Sequence, residues 1–379
     1  METTFQNATQ RSLPPFRNDI VGSFLRPTAI KEARAKFAAG EITPEELRKI
    51  EDQEIIKLVQ KQKEIGLKSV TDGELRRSWW NLDFLWGFDG VEKKKVEKGF
   101  VFHETVTRPE TSILTGKIGF TSHPHVEHFK FLKSIAGDDV VPKQNIPSAA
   151  QFLHNLQLPG SKPITDSIYP DVNDLINDIA SAYNKAILAF YNAGCRYIQI
   201  DDPGWGVLCD PKVRENIEKQ GRDFNQVLRT NIELNNKCLE NLPSDLIIST
   251  HVCRGNFRSD WMAEGSYDPV AELLLGSSNV NAFYMEFDTE RAGGFEPLKY
   301  LKGDKQVVLG LFSSKFAKLE DKKEILAKIE EAAKIVNINQ ICISPQCGFA
   351  STEEGNTLTE EEQWNKLRFI KEIADSIWH

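Results

Sequence analysis

Residues 245–253 read DLIISTHVC, a short apolar run that passes directly into a histidine and a cysteine. The first five residues, Asp245–Ser249, have the length and aliphatic content of a β-strand. Residues two apart in an extended chain point the same way, so the side chains of His251 and Cys253 can converge on one point. The stretch therefore predicts a strand with candidate metal ligands at its carboxyl end, although a lone H-x-C pair is more often packed in a core.

Seven further short apolar runs bring the total to eight, the number of strands that closes a parallel barrel. Longer amphipathic stretches separate these runs, and such alternation predicts parallel pairing with the helices outside. We therefore predict an α/β fold, a (β/α)8 barrel of the TIM type. The predicted strands are Asp19–Phe24, Lys68–Asp72, Val140–Ile146, Tyr197–Ile200, Asp245–Ser249, Val280–Glu286, Gln306–Leu311 and Gln340–Ser344. A doubly wound sheet is the alternative, but no G-x-G-x-x-G follows the first predicted strand.

Three helices between the strands have ends that can be recognised in the sequence. Thr43–Glu46 reads TPEE, a capping box with proline at the first helical position, and that helix should end near Gly66. A second helix, Leu175 to Ala193, should end at the left-handed position of Gly194. The last helix should begin at the capping box Thr359–Glu362 and run towards the end of the sequence.

The segment 75–139 is far longer than an ordinary barrel connection. We interpret it as an insertion after the second strand, hairpin-like and placed at the active-site face. Its histidines His123, His125 and His128 could form a second metal site, but histidines exposed on a loop are the commoner case. Because no low-complexity linker divides the sequence, residues 1–379 are predicted to form a single catalytic domain.

The 379 residues carry a formal net charge of −8, which argues against nucleic acid or an anionic membrane as the main partner. No apolar run approaches the length of a membrane span, and the first sixteen residues lack the apolar core of a signal peptide. The cysteines are too sparse and irregular for a disulfide framework, so we expect reduced thiols in the cytoplasm. They are Cys195, Cys209, Cys238, Cys253, Cys342 and Cys347.

Two further residues join the H-x-C pair at the same end of the predicted barrel. Glu286 closes the sixth predicted strand, and Cys347 lies just beyond the eighth. The carboxyl ends of the strands are the face on which barrel active sites lie. Taken singly, Glu286 could be an ion-pair partner and Cys347 a buried apolar residue. One nitrogen, two sulfurs and one carboxylate together suit Zn²⁺, so the four residues predict a zinc site.

The sequence resembles the catalytic barrel of cobalamin-independent methionine synthase from about residue 17 onwards. The resemblance lies in the four candidate ligands, in Ile198–Pro203 (IQIDDP), and in Gly22–Phe24 (GSF) and Asp72–Glu74 (DGE). It implies a (β/α)8 fold and transfer of a methyl group from a folate to homocysteine, which gives methionine. It also implies that zinc binds the homocysteine sulfur as a thiolate, which then attacks the methyl carbon. Metal coordination lowers the pKa of a thiol in any protein.

The same resemblance implies homocysteine contacts from Ser23, Glu74 and Asp201. Two carboxylates at strand ends can hold the ammonium group of an amino acid, and a serine hydroxyl with nearby amides can receive its carboxylate. The alternative is structural: Asp201 caps a loop, and Glu74 pairs with Arg76 or Arg77.

Three departures from the family pattern put the methyl donor in question. The full-length family carries an additional N-terminal barrel, for which this sequence has no room. Lys143–Ser148 (KQNIPS) occupies the place of the family's folate-contacting tryptophan segment. Lys315 falls about where the family has a histidine thought to relay a proton to the leaving group, so Lys315 is the candidate catalytic residue. The donor could be a methylfolate, a methylcobalamin or another methyl carrier, free or delivered by a protein.

Other functions are compatible with parts of this pattern. Zinc could activate water in a hydrolase, although two thiolates make bound water less acidic. A closed shell of four ligands could be purely structural, the acceptor could be another small thiol, or a related decarboxylase-like barrel could need no metal. Arg254 and Arg26 could bind a substrate carboxylate or a folate tail, or pair with surface acids. The sequence gives no indication of oligomeric state.

Overall fold

Strands and helices alternate along the computed structural model, which describes residues 5–379. The strands are β1 (Ser69–Val70), β2 (Asp89–Lys95), β3 (Glu110–Gly119), β4 (Val141–Pro142), β5 (Gln144–Pro147), β6 (Tyr197–Asp201), β7 (Ile247–Val252), β8 (Ala282–Glu286), β9 (Gln306–Phe312) and β10 (Ile341–Pro345). Between them lie α-helices and a few short 3₁₀ turns. None of the helices within the described range is both long and apolar enough to cross a membrane.

The parallel strands close into a ring. Strands β5 to β10 form a continuous parallel sheet in chain order, and β1 pairs in parallel with β4, which leads into β5 after one residue. The segment before the first helix closes the gap, because Asn18 bridges Ile343 in parallel and the Asp19 amide donates to the Ile343 carbonyl. On its other side, the Phe24 amide donates to the Gly73 carbonyl just beyond β1. The predicted (β/α)8 barrel is confirmed.

Two predicted strands differ from the observed ones. The segment Asp19–Phe24 has no regular strand, because Gly22 adopts a φ of 142°. A Cβ atom at Gly22 would lie 2.4 Å from the Asn145 side chain, so the glycine is also required sterically. The segment Val140–Ile146 is divided into β4 and β5, since Pro142 has no amide hydrogen with which to continue a ladder.

The predicted helix ends are observed. Helices α1 and α2 precede β1, and the Thr43 capping box opens α2 with both of its hydrogen bonds formed. The helix predicted from Leu175 begins three residues earlier, and Gly194 beyond its end has a φ of 97°. Thr359 caps the last helix in the same way as Thr43. The helices are α1 (Thr28–Ala38), α2 (Pro44–Glu64), α3 (Leu82–Leu85), α4 (Pro124–Ala136), α5 (Ala149–Gln157), α6 (Lys162–Ile168), α7 (Val172–Asn192), α8 (Pro203–Leu208), α9 (Pro211–Lys219), α10 (Phe224–Cys238), α11 (Asp268–Ser277), α12 (Lys322–Ala333) and α13 (Glu360–Ile377).

The segment 75–139 contains α3, an antiparallel hairpin of β2 and β3, and α4. His123, His125 and His128 are not exposed, which corrects the expectation of solvated loop residues. His123 and His125 are buried, and Nε2 of His123 lies 2.9 Å from the Phe84 carbonyl oxygen. Burial lowers the pKa of His123 to about 4 and that of His125 well below its ordinary range. These rings are neutral packing groups of the insertion.

A buried polar network fills the amino end of the barrel interior. Nζ of Lys143 donates to the Ile20 carbonyl and to the Tyr284 hydroxyl, and lies 3.8 Å from the Asp19 carboxylate. The Tyr284 hydroxyl also contacts that of Tyr197. Burial lowers the pKa of Lys143 to about 8, against the raising effect of Asp19. The first residue of the KQNIPS segment therefore belongs to the barrel core.

Candidate functional site

Four side chains with metal-binding atoms converge at the carboxyl end of the barrel. His251 is the last residue but one of β7, Glu286 ends β8, and Cys347 lies two residues beyond β10. With Cys253, directly after β7, they place one potential ligand atom each within 4.8 Å of one another. The two Sγ atoms are 3.6 Å apart, too far for a disulfide bond. The residues predicted as ligands are thus brought together.

The electrostatics of these side chains fit a metal ion. Oε2 of Glu286 is fully buried and has no hydrogen-bond partner within residues 5–379. The hydrogen bond between Cys347 and Cys253 lowers the pKa of the Cys347 thiol to about 7, although burial of that thiol acts in the other direction. Orphaned acceptor atoms beside two facing sulfurs are costly unless a cation compensates them. One nitrogen, two sulfurs and one oxygen match the preference of zinc.

Asp201, the last residue of β6, is hydrogen-bonded to His251. Its Oδ1 atom lies 3.1 Å from Nδ1 of the histidine, and the opposite nitrogen, Nε2, lies 3.2 Å from the carbonyl oxygen of Gln346. Burial lowers the pKa of His251, but the hydrogen bond with Asp201 and the charges of nearby acids outweigh it and raise the pKa to about 9. A carboxylate behind a metal-binding histidine fixes the orientation and tautomer of the ring.

Glu74 lies close enough to Asp201 for the two carboxylates to repel each other. Burial raises the pKa of Glu74 to about 7; Arg77 opposes this shift and Asp201 adds to it. Arg77 approaches Glu74 at 3.6 Å, whereas Arg76 pairs with Glu51 instead. Oε2 of Glu74 has no partner in the described chain, and the residue has a left-handed φ of 58°. Strain of this kind is concentrated at functional sites.

Ser23 lies against the segment that carries Cys347. The main-chain carbonyl of Ser23 accepts a hydrogen bond from the Phe349 amide. A Cβ atom at Gly348 would lie only 1.9 Å from Oγ of Ser23, so glycine is required there. The predicted substrate residue and the predicted ligand therefore lie side by side at the mouth of the barrel.

Lys315 is buried behind the loop that follows Cys253. Its Nζ atom donates to the main-chain carbonyl of Gly255 at 2.9 Å and to Oδ1 of Asn256 at 3.2 Å. Its positive charge acts to lower the pKa of both candidate cysteine ligands. Lys315, in the loop that follows β9, thus places a positive charge beside the site.

The two arginines considered as substrate-binding residues are both in the core. Arg26 donates to the carbonyls of Phe24 and Ala350, and Arg254 lies over the ring of Tyr267. Both side chains are buried, so the alternative that either of them pairs with an acidic residue on the surface is wrong.

The hairpin of the insertion reaches the loop that follows Cys253. We call residues 99–107 the hairpin tip and residues 255–264 the ligand loop. Oδ2 of Asp260 accepts hydrogen bonds from the amide and the hydroxyl of Thr105, each at 2.9 Å. The Phe102 ring lies against Gly255, where a Cβ atom would be 3.1 Å from the ring. The insertion therefore packs against the loop that directly follows the candidate ligand Cys253.

Two residues at the site carried no signal in the sequence. Gly206 of α8 packs against the main chain of Cys253, and a Cβ atom there would lie 2.1 Å from the Cys253 carbonyl oxygen. Tyr267 uses its hydroxyl to bond both main-chain groups of Glu286. Both contacts join different elements of the fold, so neither residue could be recognised from a local pattern.

A family model for the catalytic domain of cobalamin-independent synthases matches residues 163–375, more than half of the chain. The chain belongs to the cobalamin-independent methionine synthase family. The resemblance stated from the ligand pattern is therefore confirmed, and the matched region contains all four candidate ligands.

The similarity to other proteins of this family extends over nearly the whole chain. The uncharacterized protein YxjH of Bacillus subtilis (strain 168) is 48% identical over 98% of this chain and 97% of its own length. A crystal structure from Listeria monocytogenes, assigned to the vitamin-B12 independent methionine synthases, is 43% identical and has a TM-score of 0.77. It covers 97% of this chain and 100% of that one.

A third protein is named for its reaction. It is the 5-methyltetrahydropteroyltriglutamate–homocysteine methyltransferase of Listeria welshimeri serovar 6b, which is 21% identical over 96% of this chain. The match covers 43% of that relative, so this chain spans less than half of its length.

Proposed function

We propose that this chain is a zinc-dependent methyltransferase that transfers a methyl group to the thiol of homocysteine and so forms methionine. The observation that carries the proposal is the convergence of His251, Cys253, Glu286 and Cys347 within 4.8 Å at the active-site end of the barrel. Membership of the methionine synthase family supports it. The donor we propose is 5-methyltetrahydrofolate or a related methyl carrier.

The ligand side chains determine what a bound metal can do. When bound, a zinc ion lowers the pKa of a coordinated thiol, so that the sulfur is a thiolate at neutral pH. The residues that would hold it are His251, Cys253, Glu286 and Cys347. Asp201 keeps the imidazole in place from behind, and two cysteine thiolates supply enough negative charge to keep the substrate sulfur electron-rich.

The amino-acid part of the substrate has matching groups in the chain. Glu74 and Asp201 are two carboxylates whose mutual repulsion an ammonium group would relieve. Ser23, beside Cys347 in space, would receive the substrate carboxylate through its hydroxyl and neighbouring amides. These three contacts would hold the sulfur end of the amino acid towards the cysteines, which is an effect of positioning.

Lys315 is our candidate for the proton donor to the leaving group. Its Nζ atom is held by the carbonyl of Gly255 and the side chain of Asn256, next to the ligand loop. In this position, a proton on Nζ is close to the site without being shared with a carboxylate. A released folate nitrogen requires such a proton.

We further propose that residues 1–379 act as one catalytic domain, with 75–139 as an insertion at the active-site face. A cytoplasmic location is also proposed, because the six cysteines are all unbridged thiols. Neither nucleic acid nor a membrane surface is required as a partner by a site of this kind.

The decisive test replaces the metal by cobalt(II), whose spectrum is visible, and follows the addition of homocysteine. We expect a stronger sulfur-to-metal charge-transfer band and the release of a proton near neutral pH, since a coordinating thiol is deprotonated. Homoserine, with oxygen in place of sulfur, should cause neither effect. Turnover with a panel of methyl donors, read as methionine formed, then identifies the donor.

A spectrum that homocysteine leaves unchanged at saturation, with binding shown independently, would overturn the proposal. A water-activating hydrolase would show no preference for the thiol over the alcohol. A structural zinc site would respond to neither compound.

A further inference from the structure

The residue after Cys253 carries a buried positive charge that the proposed chemistry does not use. The Arg254 side chain is fully buried, and its guanidinium carbon lies 4.3 Å from the centre of the Tyr267 ring. None of its guanidinium nitrogens makes a hydrogen bond of standard geometry within residues 5–379. A buried cation in this condition is costly unless an opposite charge lies nearby.

Glu286 provides that charge. Burial lowers the pKa of Arg254, but Tyr267, Cys209 and Glu286 outweigh burial and raise it. Burial in turn raises the pKa of Tyr267 above its ordinary value and that of Cys209 to about 11, so both are neutral at pH 7. Glu286 is the one carboxylate among the three, and its Oε2 atom is itself without a partner in the described chain.

Arg254 and Tyr267 together hold Glu286, one at its carboxylate and the other at its main chain. The Arg254 amide donates to Oε1 of the Glu286 carboxylate at 3.0 Å. The Tyr267 hydroxyl accepts from the Glu286 amide at 3.0 Å and donates to its carbonyl at 3.2 Å. The Arg254 carbonyl accepts from the amides of Met262 and Ala263, which ties the ligand loop to the same point.

The proposed ligand set has an excess of negative charge. Two thiolates and one carboxylate bring three negative charges to a divalent ion, and a neutral imidazole adds none. A fixed cation next to the carboxylate offsets that excess without occupying a position on the metal. Arginine suits this role because its charge is permanent and its flat guanidinium can stack on an aromatic ring.

We propose that Arg254 is a positioning residue of the metal centre: its amide and the Tyr267 residue on which its guanidinium lies hold Glu286 for metal binding, and its buried charge offsets the negative charge of the ligands. The inference rests on the proposed function in taking these side chains as zinc ligands. It adds that the affinity for metal depends on a residue that touches neither metal nor substrate.

The first test measures zinc affinity by competition with a chromophoric chelator. Arg254→Met keeps an unbranched apolar stem and removes the charged guanidinium, and we expect zinc to bind about 10- to 100-fold more weakly. Arg254→Lys keeps the charge without the flat guanidinium, so it should recover part of the loss. In the cobalt(II) protein, Arg254→Met should also alter the ligand-field bands, which report ligand geometry.

Arg17→Met is the matched control. Arg17 is also buried, and its guanidinium lies over an aromatic ring, 5.4 Å from the centre of Trp378. It lies at the other end of the barrel, where it donates to the carbonyl of Ile341 at the start of β10. We expect Arg17→Met to lower thermal stability and to leave zinc affinity unchanged. Zinc affinity in Arg254→Met within twofold of the wild type, or an equal loss in Arg17→Met, would overturn the inference.

A second measurement needs no metal and no substrate. In the metal-free protein, the urea midpoints of Arg254→Met, Glu286→Gln and the double variant should be non-additive, because the two opposite charges are buried in the same part of the core and the Arg254 amide is bonded to the Glu286 carboxylate. Additive midpoints would overturn the inference. A wild type that binds zinc but ignores homocysteine would overturn the proposed function alone, since the zinc affinities and this cycle still decide the role of Arg254, whereas a wild type that binds no zinc would overturn both.

Discussion

Asp201 has two partners, and this determines what its substitution should do. It accepts a hydrogen bond at the ring of His251, and it also lies beside Glu74, where the ammonium group of the substrate is proposed to bind. Gln199 donates to the same oxygen at 2.7 Å, so the carboxylate is well fixed. A change at this residue should therefore affect metal and substrate together.

We predict that Asp201→Asn weakens homocysteine binding by roughly 2–4 kcal/mol, the cost of removing one partner of a buried charge pair. It should also weaken zinc binding by about 10-fold or more, because the amide is a poorer partner for the imidazole. Calorimetric titration of homocysteine and a zinc competition assay measure the two effects separately. Unchanged affinity for homocysteine would refute the substrate role, and unchanged zinc affinity would refute the support given to His251.

Asp202→Asn serves as the neighbouring control. Asp202 is buried, and its Oδ2 atom accepts a hydrogen bond from Asn235 outside the ligand cluster. Burial raises the pKa of Asp202 to about 6, so a neutral side chain should be tolerated there. We expect both affinities to stay close to the wild type in this variant.

Single residues could be predicted from the sequence where their position along a strand determines their role. His251 and Cys253 follow an apolar run directly, and Glu286 ends another, so the direction of the strands already places them at one end. Arg254 could be seen beside the ligands, but its role could not. Its partner Tyr267 lies at the far end of the same connection between β7 and α11, and only the folded course of that loop brings the two together.

Among the elements, helix α8 packs directly against the main chain of a candidate ligand. Gly206 lies in this helix against the carbonyl oxygen of Cys253, and a Cβ atom would come within 2.1 Å of it. Helix propensity alone would favour alanine over glycine by about 1 kcal/mol. The obstructing atom belongs to the main chain, which cannot move aside cheaply, so the steric cost should dominate.

We predict that Gly206→Ala destabilises the fold by about 1–3 kcal/mol and lowers zinc affinity, because the helix or the ligand segment must shift. Urea denaturation and the chelator assay measure the two effects. Gly276→Ala is the matched control in helix α11, where the new Cβ would lie 3.3 Å from the flexible end of Lys302 and at an ordinary 3.9 Å from the Tyr300 carbonyl oxygen. That variant should be neutral or more stable, and a similar loss in both would contradict the steric explanation.

Elements could be predicted where each has its own local signal. The capping boxes at Thr43 and Thr359 and the glycine at 194 marked helix ends correctly. The first strand could not be predicted in detail, because its irregularity depends on Asn145 filling the space beside Gly22. The hairpin of the insertion was expected in outline, but its contact with the ligand loop depends on Asp260, whose partner is some 155 residues away.

The whole molecule should lose stability in mild acid through the buried histidines. The pKa of His123 is lowered by burial from 6.5 to about 4, so between these values the unfolded chain binds a proton and the folded chain does not. Stability is therefore fully present above pH 6.5 and falls as the pH drops towards 4, by up to about 3 kcal/mol for this group.

We predict that His123→Asn flattens the pH dependence of the unfolding free energy between pH 6.5 and 4. Asparagine retains an acceptor for the start of α4, where His123 accepts from the His125 amide, but it does not titrate. Urea denaturation at several pH values gives the slope, which is independent of any constant loss of stability. Parallel curves for variant and wild type would show that His123 does not contribute.

The closure of the ring by Asn18 and Ile343 has a consequence for biosynthesis. His251, Cys253 and Glu286 leave the ribosome before the strand that closes the barrel, and Cys347 leaves after it. Contacts between such distant parts of a chain form slowly, and the nascent chain exposes apolar surface until they do. The cluster of candidate ligands therefore cannot be complete until Cys347 has emerged, so binding of the proposed zinc ion would follow the synthesis of the last strand of the barrel.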